Sequence, residues 1–268
     1  MVELRTINLP DGFFDEETRC DFRVSRKRKQ VWAVELDLLK KFDQVCRGNG
    51  IKYSLAGGTL LGCARDGQFI PWDDDIDVVM MRCDYDRLCD ISFTEFTHPY
   101  FFQTEDTDPG SRRHHGQLRN SETTGMLTWE FERGMSFNQG IFMDIFPLDA
   151  IPDDMEERRR FGKEISGCRD FAKGEALRRR YSDRGGASVD VCALWNGLIP
   201  RHTFRREDME DLVEADFCGH RFFVPRNHDR VLTANYGDWR SPDRAPASHG
   251  GIIFDVSLSY KQKLRSPT

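Results

Sequence analysis

Leu55-Ala56-Gly57-Gly58-Thr59-Leu60-Leu61-Gly62, followed by Ile70-Pro71-Trp72-Asp73-Asp74-Asp75-Ile76-Asp77-Val78-Val79-Met80, is the stretch whose reading decides the fold. Ile51 to Leu55 reads as a short strand running into a glycine pair, and Thr59 to Ala64 as a helix opened there. Ile76 to Met80 is rich in β-branched residues and reads as a second strand. Successive strand side chains alternate faces, so Asp75 and Asp77 point the same way. Two carboxylates that close repel unless a cation sits between them, and oxygen ligands of this kind suit magnesium or manganese. A solvated acidic turn accounts for Asp73 and Asp74 better than for Asp77, which is embedded in an apolar run. Gly57 and Gly58 let a phosphate approach the backbone closely. A helix starting there offers free N–H groups, and Thr59 adds a hydroxyl.

Working outward, Val31, Val34, Leu38, Phe42 and Val45 recur at helical spacing between Ser25, a plausible N-cap, and a stop at Gly48-Asn49-Gly50. Arg82 to Ile91 reads as another helix, and residues 100–140 as short strands and loops. Gly140-Ile141-Phe142-Met143-Asp144-Ile145-Phe146 is a third strong strand, expected to end at Pro147. Asp144, set in that apolar run, is the best candidate for a third carboxylate; a buried Asp satisfied by backbone donors is the alternative. Asp149 ranks second. Arg65 is placed to neutralise a phosphate, unless it is simply an exposed loop arginine. Residues 153–182 and 205–218 read as charged helical segments, and the C-terminal stretch as irregular. With no repeat or linker, the expectation is one α+β domain over residues 1–268. Its core lies at about 24–150, and a helical portion with a C-terminal pocket segment follows at about 151–255.

Composition limits the function. The 268 residues carry a formal net charge of −6, against a dedicated nucleic-acid binder. No apolar run is long enough for a transmembrane helix, and the N-terminus has no signal-peptide pattern, so a cytoplasmic location is expected. Eight cysteines at wide, irregular spacings, without a C-x-x-C pair, read as reduced thiols.

These motifs resemble the LicD family of phosphotransferases, whose eukaryotic relatives include fukutin and fukutin-related protein. The likeness is closest across Tyr53 to Met80. It continues in Tyr100-Phe101-Phe102-Gln103-Thr104, Gln117-Leu118-Arg119, Gly140 to Asp149 and, more weakly, Tyr236-Gly237-Asp238. The resemblance implies a nucleotidyltransferase-like fold with a mixed sheet flanked by helices. It also implies Asp75, Asp77 and Asp144 as divalent-metal carboxylates, and Gly57, Gly58, Thr59, Arg65, Asp74, Arg119 and Tyr236 around the donor. The implied reaction moves a phospho-alcohol, such as phosphocholine from CDP-choline or ribitol phosphate from its CDP-linked donor, to a glycan hydroxyl with release of CMP. The acceptor belongs to a cell-surface polysaccharide or a lipid-linked precursor. One departure is Asp66, where the family often has a histidine. Asp144 would ligate a second metal or take the hydroxyl proton, with Asp74 as a fallback base.

Two rival readings share these residues. A true nucleotidyltransferase would attach a nucleoside monophosphate and release pyrophosphate from the same metal site. A non-catalytic nucleotide- or glycan-binding accessory would tolerate loss of Asp75. Arg158-Arg159-Arg160, Arg178-Arg179-Arg180, Arg201, Arg205-Arg206 and Ser25-Arg26-Lys27-Arg28-Lys29 are read either as solvated helix faces or as contacts to an anionic lipid-linked acceptor or bilayer. His114-His115 lacks a matching third ligand for a metal. Tyr236, Trp239 and His249 are candidates for the pocket wall, and Trp72 for packing the loop.

Overall fold

A computed structural model of the chain describes residues 2–182, 188–193, 202–242 and 251–265. A small hairpin, β1 (Glu17–Arg19) with β2 (Phe22–Val24), leads into the longest helix, α1 (Arg26–Gly48). The Ser25 hydroxyl accepts the Arg28 N–H at 3.3 Å and caps α1. The expected stripe from Val31 to Val45 is buried. Gly50, at φ +60°, turns the chain after the helix.

The central sheet uses β3 (Ser54–Leu55), β4 (Asp77–Met81), β5 (Tyr100–Gln103), β6 (Gly116–Asn120) and β8 (Ile141–Ala150). α2 (Gly57–Asp66) and α3 (Arg82–Glu95) flank β4 in sequence. β7 (Thr124–Leu127) and α4 (Thr128–Glu132) lie between β6 and β8. β4 runs parallel to β8 and antiparallel to β3, while β6 is antiparallel to both β8 and β5. Asp77 lies opposite Asp144, Asp144 opposite Gln117, and Gln117 opposite Gln103. Cross-strand partners share a face, so these four residues form one polar row over strands about 4.8 Å apart. The other face carries Val78, Ile145, Met143, Leu118 and Phe102, all buried. α1 covers it: the Tyr100 hydroxyl donates to Asp37 of α1 at 2.7 Å.

The strand expected to end at Pro147 runs on to Ala150. The Asp144 N–H bonds the Ile76 carbonyl, so even-numbered residues of β8 turn their backbone groups toward β4. The missing N–H of Pro147 therefore faces the other edge. There β6 has already ended at its Ile145 partner, and β9 (Asp190–Cys192) joins only at Asp149. Proline is tolerated where no ladder bond is needed.

The segment 153–182 forms two helices, α5 (Met155–Ser166) and α6 (Phe171–Ser182). The segment 205–218 is not one helix. β10 (Thr203–Arg205), which pairs with β9, is followed by the single-turn α7 (Arg206–Glu210). A hairpin of β11 (Leu212–Phe217) and β12 (His220–Pro225) comes next. Cys218 and Gly219 both have positive φ, the geometry of a tight hairpin turn, which outweighs the charged composition. The C-terminal stretch is also more regular than expected: α8 (His228–Tyr236), β13 (Ile252–Asp255), which pairs with β7, and α9 (Tyr260–Arg265). Among the described residues, no helix is long and apolar enough to cross a membrane.

Trp32 ties α1 to the acidic loop. Its ring stacks on Phe69 with centroids 4.7 Å apart, and its N–H donates to the Asp73 carbonyl at 3.0 Å. Trp32→Phe keeps a ring there but loses that bond. It is expected to cost about 1 kcal/mol, the usual worth of one hydrogen bond, read by chemical denaturation.

Candidate active site

Three elements deliver three carboxylates to one place. Asp77 is the first residue of β4, Asp144 is its partner on β8, and Asp75 sits in the extended loop just before β4. One carboxylate oxygen from each lies within 4.8 Å of the others. The loop is held from behind. Its Asp73 carbonyl accepts from both Arg28 and Trp32, and the Asp77 N–H donates to the Thr59 hydroxyl at 2.9 Å. The Ala56 N–H donates to the Asp77 carbonyl at 3.0 Å, fixing the start of α2 beside β4. A methyl group added at Gly57 would lie 2.6 Å from Asp77 Oδ2, and one at Gly58 would collide with Asp73 Oδ2. Gly57 also has φ +54°, where a side chain is strained. The glycine pair therefore makes room, in the first instance, for carboxylates.

The electrostatics are asymmetric. Burial pushes the Asp77 carboxyl well above its ordinary value, and the Asp75 and Asp144 charges push it further. Burial would raise Asp144 too. The His115 ring, the Gln117 amide and the Arg113 guanidinium outweigh that and hold it below the ordinary value. Buried like charges that repel one another, with donors made only of oxygen, fit a hard divalent cation such as magnesium or manganese. A fourth carboxyl faces the same loop from α1. Glu35 is buried and pushed up by burial and by Asp75, Asp74 and Asp73.

Behind Asp144 stands a buried chain of amides and one arginine. Gln117 Nε2 donates to Asp144 Oδ1 at 2.6 Å, and His115 Nε2 lies 3.2 Å from the same oxygen. Arg119 donates to Gln117 Oε1, to Gln103 Oε1 at 2.6 Å and to the Gly140 carbonyl at 2.8 Å. Gln103 Nε2 then donates to Asp108 Oδ2 at 2.7 Å and to the Asn138 carbonyl at 2.9 Å. Burial pulls the Arg119 pKa down to about 9, the Arg113 charge adding to the effect. The single-residue alternation His115-x-Gln117-x-Arg119, polar side chains on one face of β6, was the available sequence signal for this network.

The structure brings together the three metal candidates but not all of the donor candidates. Thr59 is buried and spends its oxygen on the Asp77 backbone. Arg65 lies eight residues along α2 from Gly57, about 12 Å at the helical rise, and its guanidinium is paired with Asp66 at 2.9 Å. Arg119 is fully buried behind Asp144 rather than presented to a ligand. Asp74 is half-buried and lines a cavity of about 170 Å³ with Arg28 and Trp32. Tyr236 ends α8 and is about half exposed. Trp239 is buried with its N–H on Asp229, Trp72 packs edge-on against Phe22, and His249 lies outside the described residues.

His114 and His115 turn to different partners: His114 pairs with Glu175 at 2.7 Å, and His115 lies 3.2 Å from Asp144. Arg158, Arg178, Arg179, Arg180, Arg205 and Arg206 all pair with acids of the chain, while Arg201 lies outside the described residues. All eight cysteines are free thiols. A cavity of about 860 Å³ lies at the β5 edge, and none of the three carboxylates lines it. The carboxylates are the candidate centre because three of them converge there.

Two outcomes are expected. A native carboxyl with a raised pKa binds protons the unfolded chain has released. The metal-free protein therefore loses stability as pH rises from the ordinary aspartate range through the Asp77 value. Magnesium should raise the melting temperature more at pH 8 than at pH 5, and Asp77→Asn should stabilise the metal-free protein while abolishing that rise. Gln117→Leu, which releases Asp144, should weaken manganese binding about 10- to 100-fold by calorimetry, the usual effect of losing a ligand's outer partner.

The family model described as "LicD/FKTN/FKRP, nucleotidyltransferase domain" matches residues 50–172, which include all three carboxylates. Among curated proteins, the chain is 34% identical to the lipopolysaccharide cholinephosphotransferase LicD of Haemophilus influenzae, over 79% of this chain and 90% of that protein. It is 24% identical to the mouse and human ribitol 5-phosphate transferase FKRP, over 72% of this chain but only 29% of those longer proteins. Oxygen ligands converging on one point and these likenesses agree: the chain belongs to the LicD family and is a phosphotransferase.

Proposed function

We propose that the chain transfers a phospho-alcohol, of the phosphocholine or polyol-phosphate kind, from a CDP-linked donor to a glycan hydroxyl, with CMP leaving. The observation that carries this reading is the convergence of Asp75, Asp77 and Asp144 within 4.8 Å beside the Gly57-Gly58 turn, in a relative of a cholinephosphotransferase. We also read the domain as nucleotidyltransferase-like and single, acting at the cytoplasmic side.

A bound magnesium or manganese would neutralise charge on the transferred phosphoryl group and on the oxygens that attack and leave. The residues of the chain do the rest. Asp75, Asp77 and Asp144 would hold the ion. Gln117 donates to one oxygen of Asp144, and the His115 ring lies 3.2 Å from the same oxygen, so the carboxylate is held in orientation. The Thr59 hydroxyl and the Ala56 N–H keep α2 against β4, so the helix start stays at the height of the carboxylates. Asp74, beside the cluster and lining the small cavity, is placed to meet the donor or the acceptor proton.

Incubating the protein with magnesium and a panel of CDP-alcohols should release CMP from one of them. Asp75→Asn and Asp77→Asn should lower that release about a hundredfold or more while leaving the fold intact, in line with the loss of several kcal/mol of charge stabilisation. Pyrophosphate released from CTP or ATP, with no CMP from any CDP-alcohol, would instead establish nucleotidyl transfer. Undiminished turnover in a folded Asp77→Asn protein would refute the metal assignment.

A further inference from the structure

The cavity of about 860 Å³ at the β5 edge is large enough for a drug-sized ligand and is lined very differently from the carboxylate cluster. Four serines (121, 136, 257 and 259) supply hydroxyls that can both donate and accept. Phe101 and Tyr260 supply two ring surfaces. Glu3, Asp108 and Glu122 share the wall with Lys261 and His98, and Glu122 is paired with Arg5 and His98, so the wall has no cluster of cations to recognise a phosphate. Rings, hydroxyls and amides with no cluster of cations suit a neutral, polyhydroxylated ligand.

Its position relates it to the reaction. Phe101 and Gln103 share a face of β5, the face that carries the polar row Asp77, Asp144, Gln117 and Gln103. Gln103 stands two strands from Asp144, about 10 Å at the usual strand spacing. The connection is also bonded. Asp144, Gln117, Arg119 and Gln103 lead to Asp108, whose carboxylate also accepts the Asn138 N–H at 2.7 Å. Asn138 Nδ2 donates to Ser121 Oγ at 2.8 Å. Asp108, Asn138 and Ser121 are all wall residues of the cavity. The chain of bonds that fixes a metal carboxylate thus ends in the cavity wall.

We infer that this groove binds a neutral saccharide and holds the body of the acceptor while its hydroxyl reaches the carboxylate cluster. The acceptor assignment rests on the transfer reading above; saccharide binding in the groove does not.

The test is ligand-observed saturation-transfer NMR on the full chain without donor. Galactose, glucose, N-acetylglucosamine and ribitol serve as probes at millimolar concentration. At least one is expected to show transfer from the protein. Ser136 is exposed on the rim and makes no described side-chain bond, so Ser136→Trp fills the groove without touching the core. It should reduce that transfer tenfold or more with an unchanged circular dichroism spectrum. If that variant fails to fold, Phe101→Ala, at a half-buried ring, gives the same reading. Absence of transfer from every probe, or full transfer in the folded variant, overturns the groove. CMP release by the unaltered protein is measured alongside. CMP without saccharide binding refutes the groove alone, and groove-dependent saccharide binding without CMP refutes the transfer reading alone.

Discussion

Three aspartates that repel one another are forced into one small space, and much of the surrounding structure serves to keep them there. Parallel pairing of β4 with β8 sets Asp77 opposite Asp144, and the loop brings Asp75 to the same point. Such a cluster is unfavourable without a counter-charge, so it persists only where stronger constraints hold the backbone. Those constraints are visible. Arg28 and Trp32 grip the Asp73 carbonyl, Thr59 grips the Asp77 N–H, and the glycine pair leaves the carboxylates room that a Cβ would take. The apolar face of the sheet, pressed on α1, supplies the burial that offsets the repulsion.

The three carboxylates are not equivalent. Asp144 is held below its ordinary pKa by His115, Gln117 and Arg113 against the effect of burial, while Asp77 is driven up. An oriented, ionised carboxylate beside a proton-holding one is the arrangement expected of the proposed metal site, where binding a cation would release a proton. The buried Arg119 matters here through its reach. It contacts no ligand-facing surface, yet it orders the two glutamines that fix Asp144 and tie it to the far groove.

Charge elsewhere is mostly internal. Within the arginine runs read either as solvated helix faces or as acceptor contacts, three residues bridge elements: Arg179 to Asp86, Arg158 to Asp190 and Arg180 to Glu164. They hold α3, α6 and β9 around the second half of β8. A run of like charge in sequence says nothing about which acids will face it after folding.

The sequence by itself determined several local elements and singled out the three aspartates that the fold brings together. α1, the glycine-opened α2, β4 and the start of β8 follow from periodicity and β-branched content, and the three aspartates stand out because they interrupt apolar runs. The tertiary structure alone decided the rest. Pro147 could be read as a stop only until its missing N–H was seen to face a gap between β6 and β9. The charged stretch 205–218 became a hairpin because Cys218-Gly219 could take a left-handed turn and its apolar side could pack on the core. His115, Gln117 and Gln103 gained their meaning from register, which aligns residues dozens of positions apart. Arg119 joins the same buried row through the pairing of β5, β6 and β8. Spacing along a chain fixes which face a side chain takes, and only the pairing of strands and helices fixes what lies opposite.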